Sequence, residues 1–320
     1  MSRILITGGS GFIGTNIIFY LATLNDVELL NIDIVAPKIE EQNVFWKNID
    51  ICDTEQLGAV IAQFVPDYVI HLAARTDLNG KTLQDYSANT IGVRSLLEVL
   101  DKIPNLKRVI FASSMYVCYP GYSPKSFEDY APHTVYGESK VETEKIIKTD
   151  NPTNYTWSII RPTSIWGPYF GEPYDKFFRI VLSRSYFHLG KKACKKTYGY
   201  IDNTISQIMS ILNADESIVN KQVYYLGDYE PYDITEWANE IAAEIGIKIP
   251  TIPYFLFVLA GWFGDFMKML KIKFPMTSFR LKNMTTDNIH DLAPIKEIAP
   301  DLPIDRTKGN RKTIEWIQHK

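Results

Sequence analysis

Apolar runs of β type alternate along the first half of the chain with stretches whose apolar residues recur at helical spacing. Ile4 to Thr7 is the first run, and Thr15 to Leu24 behind it reads as a helix. Val27 to Ile34 is a second run and Val44 to Lys47 a short third one. Asp53 to Phe64 reads as a helix stopped near Pro66. Tyr68 to Leu72 forms a fourth strand, followed by a helix from Thr82 to Leu100. Arg108 to Ala112 is the fifth strand, Thr134 to Thr149 is helical, and Tyr155 to Ile160 is β-rich again. This alternation predicts an α/β fold, a Rossmann-like doubly wound parallel sheet with helices on both faces.

After Arg161-Pro162 the pattern becomes irregular. Trp166 to Gly171 reads as loop, Tyr174 to Leu182 as helix, and Gln222 to Leu226 as one more strand returning to the sheet. Asp233 and Glu236 have capping-box spacing and open a helix to about Ile245, ended by Gly246. The expected division is a nucleotide-binding domain over residues 1–165, to which residues 200–227 return. Residues 166–199 and 228–320 would form a smaller C-terminal substrate-binding lobe. There Phe255, Leu259, Trp262, Phe266 and Leu270 form a stripe that reads as core rather than membrane anchor. The longest uncharged stretch, Ile249 to Gly264, carries two prolines and is shorter than the ~20 apolar residues of a membrane span.

Composition changes this picture little. With 320 residues and 46% hydrophobic content the chain can bury a sizeable core, and a net charge of −3 gives no reason to expect nucleic acid or an anionic membrane as partner. Lys191, Lys192, Lys195 and Lys196 read as a solvated loop. Cys52, Cys118 and Cys194 lack metal-ligand spacing and read as free thiols, with no metal expected. A strand that begins almost at the first residue leaves no room for a signal peptide, so the expected location is the cytoplasm.

Candidate chemistry begins at the turn after the first strand. Gly8, Gly11 and Gly14 are spaced so that the first allows a tight turn, the second admits a pyrophosphate to the backbone, and the third lets the helix pack closely on the strand. Asp33, 19 residues beyond Gly14, stands where a dinucleotide fold places an acid on the adenosine ribose. Ile34, Val35 and Ala36 follow without an arginine, which favours NAD over NADP. Tyr136 and Lys140 lie a turn apart on one helix face. A nearby ammonium favours the phenolate, so the pair can exchange a proton with an alcohol or carbonyl as hydride moves to or from a nicotinamide. Ser113 and Ser114, at the end of the fifth strand, are placed to hydrogen-bond the same oxygen.

Together these residues resemble the extended short-chain dehydrogenase/reductase superfamily, in its NAD-dependent nucleotide-sugar epimerase/dehydratase branch. Thr7-Gly8-Gly9-Ser10-Gly11-Phe12-Ile13-Gly14 matches the family's TGGxGFIG. Asp50-Ile51-Cys52-Asp53 matches its adenine-contacting turn, and Ile70-His71-Leu72-Ala73-Ala74 its fourth-strand motif. Asn89 falls at the family's helix asparagine, Ser113-Ser114-Met115-Tyr116-Val117 resembles SSxxVYG, and Arg161-Pro162-Thr163-Ser164 opens an RPxNVYGP-like run. Tyr200-Ile201-Asp202-Asn203 resembles the YIDD-type motif. The resemblance implies Ser114, Tyr136 and Lys140 as catalytic residues. It implies a cofactor site of Gly8, Gly11, Phe12, Ile13, Gly14, Asp33, Asp50, Ile51, Leu72, Ala73, Ala74, Thr76, Asn89, Tyr136, Lys140, Pro162 and Thr163. Ser114, Met115, Ser164 and Lys196 would meet the substrate, a nucleotide-sugar or related small molecule. It further implies homodimerisation through the helices holding Asn89 and Tyr136.

Departures narrow the reaction. Family dehydratases carry an Asp-Glu pair where this chain has Met115 and Tyr116, which disfavours 4,6-dehydration. Met115 and Tyr169 stand where epimerase-reductases of the GDP-fucose synthase type use Cys and His, which disfavours double epimerisation. Ser164 replaces the usual substrate-contacting Asn, and Lys195 or Lys196 the diphosphate-binding Arg. The residues from Pro253 to Leu270 are also similar to the 3β-hydroxysteroid dehydrogenase branch. The leading expectation is an NAD-dependent nucleotide-sugar 4-epimerase. Next come a net reductase or dehydrogenase of a keto-sugar nucleotide or sterol-like alcohol, and then a silent NAD-sensing relative, which would typically lack the Tyr or Lys kept here.

Overall fold

A computed structural model of the chain describes residues 1–172, 175–190, 194–270, 272 and 274–319. The first half alternates strand and helix as the pattern requires: β1 (Ser2–Thr7), α1 (Phe12–Leu21), β2 (Val27–Asp33), β3 (Trp46–Asn48), α2 (Thr54–Phe64), β4 (Tyr68–His71), α3 (Ser87–Leu100), β5 (Arg108–Ala112), α4 (Val135–Asp150) and β6 (Thr156–Pro162). The second half supplies β7 (Ser164–Trp166), α5 (Lys176–Leu182), β8 (Lys195–Lys196), β9 (Tyr198–Tyr200), α6 (Ile201–Asn213), α7 (Glu216–Val219) and β10 (Gln222–Leu226). It closes with β11 (Tyr232–Asp233), α8 (Ile234–Glu244), α9 (Tyr254–Met269), α10 (Ser278–Met284), α11 (Ala293–Ile298) and α12 (Arg306–Gln318).

Seven strands form one parallel sheet in the order β10-β6-β5-β4-β1-β2-β3. Connections run outward in opposite directions from β1, so the crevice beyond the carboxyl ends of β1 and β4 is the topological switch point, where such sheets bind ligands. Alternation along the strands divides the core. Ile4 and Ile6 of β1 join the cluster that includes α1, α6 and α8, whereas Leu5 joins the cluster under α2 and α3. Ile110 and Val109 of β5 divide in the same way.

Boundaries moved where turns decide them. α1 starts at Phe12 rather than Thr15, with Gly11 as its N-cap, so Gly14 lies inside the first helical turn. The segment read as one helix from Thr82 begins instead with a 3₁₀ turn over Leu83–Tyr86. A reciprocal Thr82–Asp85 capping box opens that turn, and α3 follows. Val44 lies in a 3₁₀ turn, and the third strand starts only at Trp46. Asp233 caps α8 as expected, accepting from the Thr235 and Glu236 amides.

Three expectations for the second half are corrected. Trp166 is the last residue of β7, paired with β9, where it is buried among Phe178, Tyr200 and Trp237. Lys195 and Lys196 form β8, antiparallel to β11, rather than a solvated loop. Lys191, Lys192 and Tyr174 lie outside the described residues. The stripe of Phe255, Leu259, Trp262, Phe266 and Leu270 faces outward. The reason is the opposite face of α9, where a Cβ on Gly264 would stand 1.6 Å from the Met276 carbonyl oxygen. That backbone approach occupies the glycine side of the helix and leaves the aromatic side without protein cover.

Candidate active site

The glycine turn is held by side chains of β2. The Gly9 amide donates to Asn31 Oδ1 at 3.0 Å, and the Ser10 amide to Asp33 Oδ2 at 3.0 Å. Gly8 has φ +74°, and a Cβ there would lie 2.5 Å from the Ala73 amide nitrogen. The β1 and β4 turns therefore touch through bare backbone. Gly14 packs on the glycine turn itself, because its Cβ would meet Gly9 Cα at 2.5 Å, and not on the strand as expected. A Cβ on Gly11 would meet only the Gly8 carbonyl at 3.2 Å, so that side of the turn is open. As first-turn residues of α1, Phe12 and Ile13 have amides without intrahelical partners, and no side chain caps the helix. The cradle, its open face and the adjacent Asp33 carboxylate fit a dinucleotide diphosphate and ribose. In Gly8→Ala the positive φ and the Ala73 clash act together, so dinucleotide affinity should fall at least ~10-fold by calorimetric titration.

The other expected cofactor residues divide into those that border the crevice and those spent on the protein. Leu72, Ala73 and Ala74 follow β4 directly and are half-buried, and the Leu72 amide donates to the Thr7 carbonyl. Asp50 and Thr76 are exposed. Ile51 is a core residue, and a Cβ on Gly92 of α3 would lie 2.5 Å from its Cδ1, so only its backbone is left for a ligand. Asn89 is wholly engaged. It accepts from the Arg75 amide at 2.8 Å and donates to the Arg75 carbonyl at 3.0 Å and to Ser139 Oγ at 2.8 Å, tying the 73–76 loop to α4. Thr163 turns its hydroxyl to the Leu226 carbonyl at 2.8 Å, beside half-buried Pro162, and so joins β6 to β10.

At the far end of the crevice, α4 is capped by Thr134, whose Oγ1 accepts from the Gly137 amide. Tyr136 is buried between Tyr86 and Tyr116, with ring centroids 6.1 and 5.8 Å away. Burial pushes its phenol up to about 12, and a hydrogen bond to Ser114 opposes that rise. The expected lowering by Lys140 is corrected. Lys140 Nζ donates to the Ala112 carbonyl at 2.9 Å. Burial brings its ammonium down to about 8, against the attraction of Glu144. Desolvation outweighs pairing at both groups.

Behind Lys140 lies a cluster that the motifs did not reveal. Glu144 and Arg161, both fully buried, form a two-pronged ion pair with both contacts at 2.8 Å. Ser113 donates to Glu144 Oε1 at 2.6 Å and Tyr130 to Oε2 at 2.9 Å. Ser113 therefore points away from Tyr136 and leaves Ser114 as the hydroxyl beside it. The legible signal for Glu144 was its place one helical turn beyond Lys140.

Toward the C-terminal region, Met115 Sδ lies 3.9 Å from Asn288 Nδ2. Asn288 Oδ1 accepts from the Gly121 amide at 3.1 Å. Lys196 Nζ is half-buried and donates to the Asn283 carbonyl at 2.8 Å, and Ser164 is half-buried in β7. Tyr169 is elsewhere, its ring 5.7 Å from Trp316. The described residues contain no cluster of His, Cys, Asp or Glu able to hold a metal, and Cys52, Cys118 and Cys194 form no disulfide.

The family model described as the NAD dependent epimerase/dehydratase family matches residues 4–227. The chain belongs to this family. Membership makes it an enzyme and NAD the implied cofactor. The N-acetyl-alpha-D-glucosaminyl-diphospho-ditrans,octacis-undecaprenol 4-epimerase of Escherichia coli O157:H7 is 25% identical over 98% of this chain and 95% of its own. A 3-beta-hydroxysteroid dehydrogenase of Mycolicibacterium neoaurum is 27% identical over 79% of this chain and 72% of its own. Among solved structures, UDP-glucose 4-epimerase of Thermotoga maritima superposes with TM-score 0.74 at 21% identity, covering 99% of each chain. UDP-glucuronic acid 4-epimerase of Bacillus cereus, with UDP-glucuronic acid and NAD, gives 0.75 at 18% identity and the same coverage. At these identities the superpositions describe the shared fold.

In this family member the Lys140 ammonium has a definite pH signature. Its pKa is about 8 in the fold against 10.5 for the free side chain. Between these values the unfolded chain binds more protons, so this group's contribution to stability rises as pH increases from about 8 to 10.5. Compared with Lys140→Met, wild-type unfolding free energy should therefore gain up to ~3 kcal/mol across that window, measured by urea denaturation. A difference that stays flat with pH would mean that the lysine is not desolvated.

Proposed function

We propose that this enzyme is a 4-epimerase of a sugar linked to a carrier through a diphosphate, with Tyr136 as the acid/base group. One observation carries the reading. A buried Tyr136–Ser114 pair has Lys140 one helical turn on, and the flanking positions are Met115 and Tyr116, not carboxylates. Such a site can move one proton at one sugar oxygen, but it has no second acid to expel water from the ring.

When bound, NAD would supply the hydride acceptor and donor for the sugar carbon. Phe12, Ile13 and Asp33 would hold its diphosphate and ribose, with Asp50, the backbone of Ile51 and residues 72–76 along the crevice. Ser114 orients the sugar hydroxyl toward Tyr136. Tyr136 takes the hydroxyl proton as a carbonyl forms and returns it once the opposite face of the sugar is presented. In the resting site the phenol is neutral, so positive charge must reach it. Lys140, one helical turn on and donating to the Ala112 carbonyl, is the cation proposed to supply that charge. Met115, Ser164 and Lys196 border the space proposed for the sugar and its diphosphate, which residues 166–199 and 228–320 would complete as the substrate-binding lobe.

The carrier has two readings. A nucleoside is the first, in keeping with the UDP-sugar epimerases that share the fold. A polyprenol is the second, favoured by the relative that matches 98% of this chain and is named for a polyprenyl-diphosphate sugar. NMR of the products from UDP-, GDP-, CDP- and dTDP-sugars and from polyprenyl-diphosphate sugars tests both. Inversion at one carbon without net NADH change supports epimerisation. Stoichiometric NADH production or consumption would instead establish a net dehydrogenase or reductase.

A further inference from the structure

α9 turns its large apolar side chains to solvent. Phe255 is 60% exposed, Leu259 50%, Trp262 64%, Phe266 55% and Met269 82%. They form one stripe, since successive members are three or four residues apart. The neighbouring helix α10, reached where Gly261 meets Ser278, adds Phe279 at 68% exposure. Scattered exposed apolar residues are ordinary, but an aromatic stripe of this length marks an interaction surface.

Charge says what covers it. Residues 254–264 carry no charge. Between Asp265 and Asp287 the sequence then holds Lys268, Lys271, Lys273, Arg280 and Lys282 and not one carboxylate. An apolar helical stripe followed by a segment whose only charges are cations is complementary to acyl chains under anionic headgroups. A second copy fits poorly, because a two-fold interface sets a patch against itself and would oppose cation to cation. Spanning is also ruled out for α9. Its 16 residues reach about 24 Å, short of the ~30 Å hydrocarbon core, and no helix among the described residues is long and apolar enough to cross a membrane.

We propose that α9 and α10 dock this enzyme onto the surface of an anionic lipid bilayer. α9 lies in the headgroup plane with its aromatic stripe at the acyl boundary, and Lys268, Arg280 and Lys282 meet the headgroups. The docking element is joined to the candidate site, for Asn283 at the end of α10 accepts from Lys196, and Asn288 just beyond it contacts Met115. The net charge of −3 gave no reason to expect an anionic membrane, whereas the attraction here is local.

Co-sedimentation of the full chain with vesicles tests this without reference to turnover. Wild type should sediment with phosphatidylcholine vesicles containing about one-third phosphatidylglycerol, and much less with phosphatidylcholine alone or at high salt. Leu259→Gln/Trp262→Gln/Phe266→Gln should lose at least ~10-fold in partitioning, with its melting temperature little changed because all three side chains are at least half exposed. Arg280→Gln/Lys282→Gln should lose at least ~10-fold on the anionic vesicles only. Failure of wild type to sediment, equal binding to neutral vesicles, or full binding by the triple variant would overturn the proposal. A dimer that the triple variant converts to monomer, without vesicle binding by either, would overturn it in favour of self-association.

Discussion

Tyr136→Phe should lower epimerisation kcat by ~10²–10⁴-fold while leaving NAD binding and the melting temperature nearly unchanged. Phenylalanine keeps the ring between Tyr86 and Tyr116 and removes only the hydroxyl that bonds Ser114. The group lost is the proton carrier itself, so the change belongs in kcat rather than in KM. Product NMR under saturating substrate reads it. A loss smaller than tenfold would move the acid/base role to another phenol, for which Tyr116 is the nearest in sequence to Ser114. A pH–rate profile adds an independent check. The resting phenol is pushed up to about 12 by burial, so an apparent base well below that value in wild type would mean that cationic charge reaches it during turnover.

Arg161→Met should destabilise the fold by ~3–5 kcal/mol, because it strips the buried Glu144 carboxylate of its two-pronged partner and leaves it only the more distant Lys148, at 4.0 Å. Glu144 now receives both prongs of the guanidinium and the hydroxyls of Ser113 and Tyr130. Arg161 also donates to the Phe127 carbonyl and to the Tyr225 hydroxyl. For a chain of this size each kcal/mol moves the melting temperature by about 2–4 °C, so calorimetry should show a fall of roughly 6–20 °C. Arg161→Met/Glu144→Gln should recover part of that loss, since Gln still accepts from Ser113 and Tyr130 without a charge to bury. If the double variant is no more stable than the single one, packing around the arginine, and not the stranded charge, holds this region together.

Both variants touch α4, yet they were unequally legible. Tyr136 and Lys140 announce themselves by spacing within one helix. The ion pair behind them joins residues 17 positions apart on α4 and β6, and only the sheet order brings these together. The electrostatics were less legible still. An ammonium one turn from a phenol suggests an acidified tyrosine. The fold instead buries both groups and gives the ammonium a carbonyl partner.

The sequence by itself determined the parts of this protein built from short-range rules. Strand-turn-helix periodicity specified the parallel sheet, and the spacing of Gly8, Gly11 and Gly14 specified the turn from β1 into α1, because both are settled by backbone within a few residues. Met115 and Tyr116, where family dehydratases carry Asp and Glu, disfavour dehydration from residue identity alone. Only the tertiary structure decided what depends on distant partners. It turned Ser113 toward Glu144, committed Asn89 to Arg75 and Ser139, and drew Lys196 to Asn283. It also decided which way α9 faces. A helical stripe of Phe255, Leu259, Trp262 and Phe266 guarantees one apolar side but not its direction. The direction was set by Gly261 and Gly264, which admit the backbone of residues 276–278 on the opposite side and leave the aromatic side to the solvent.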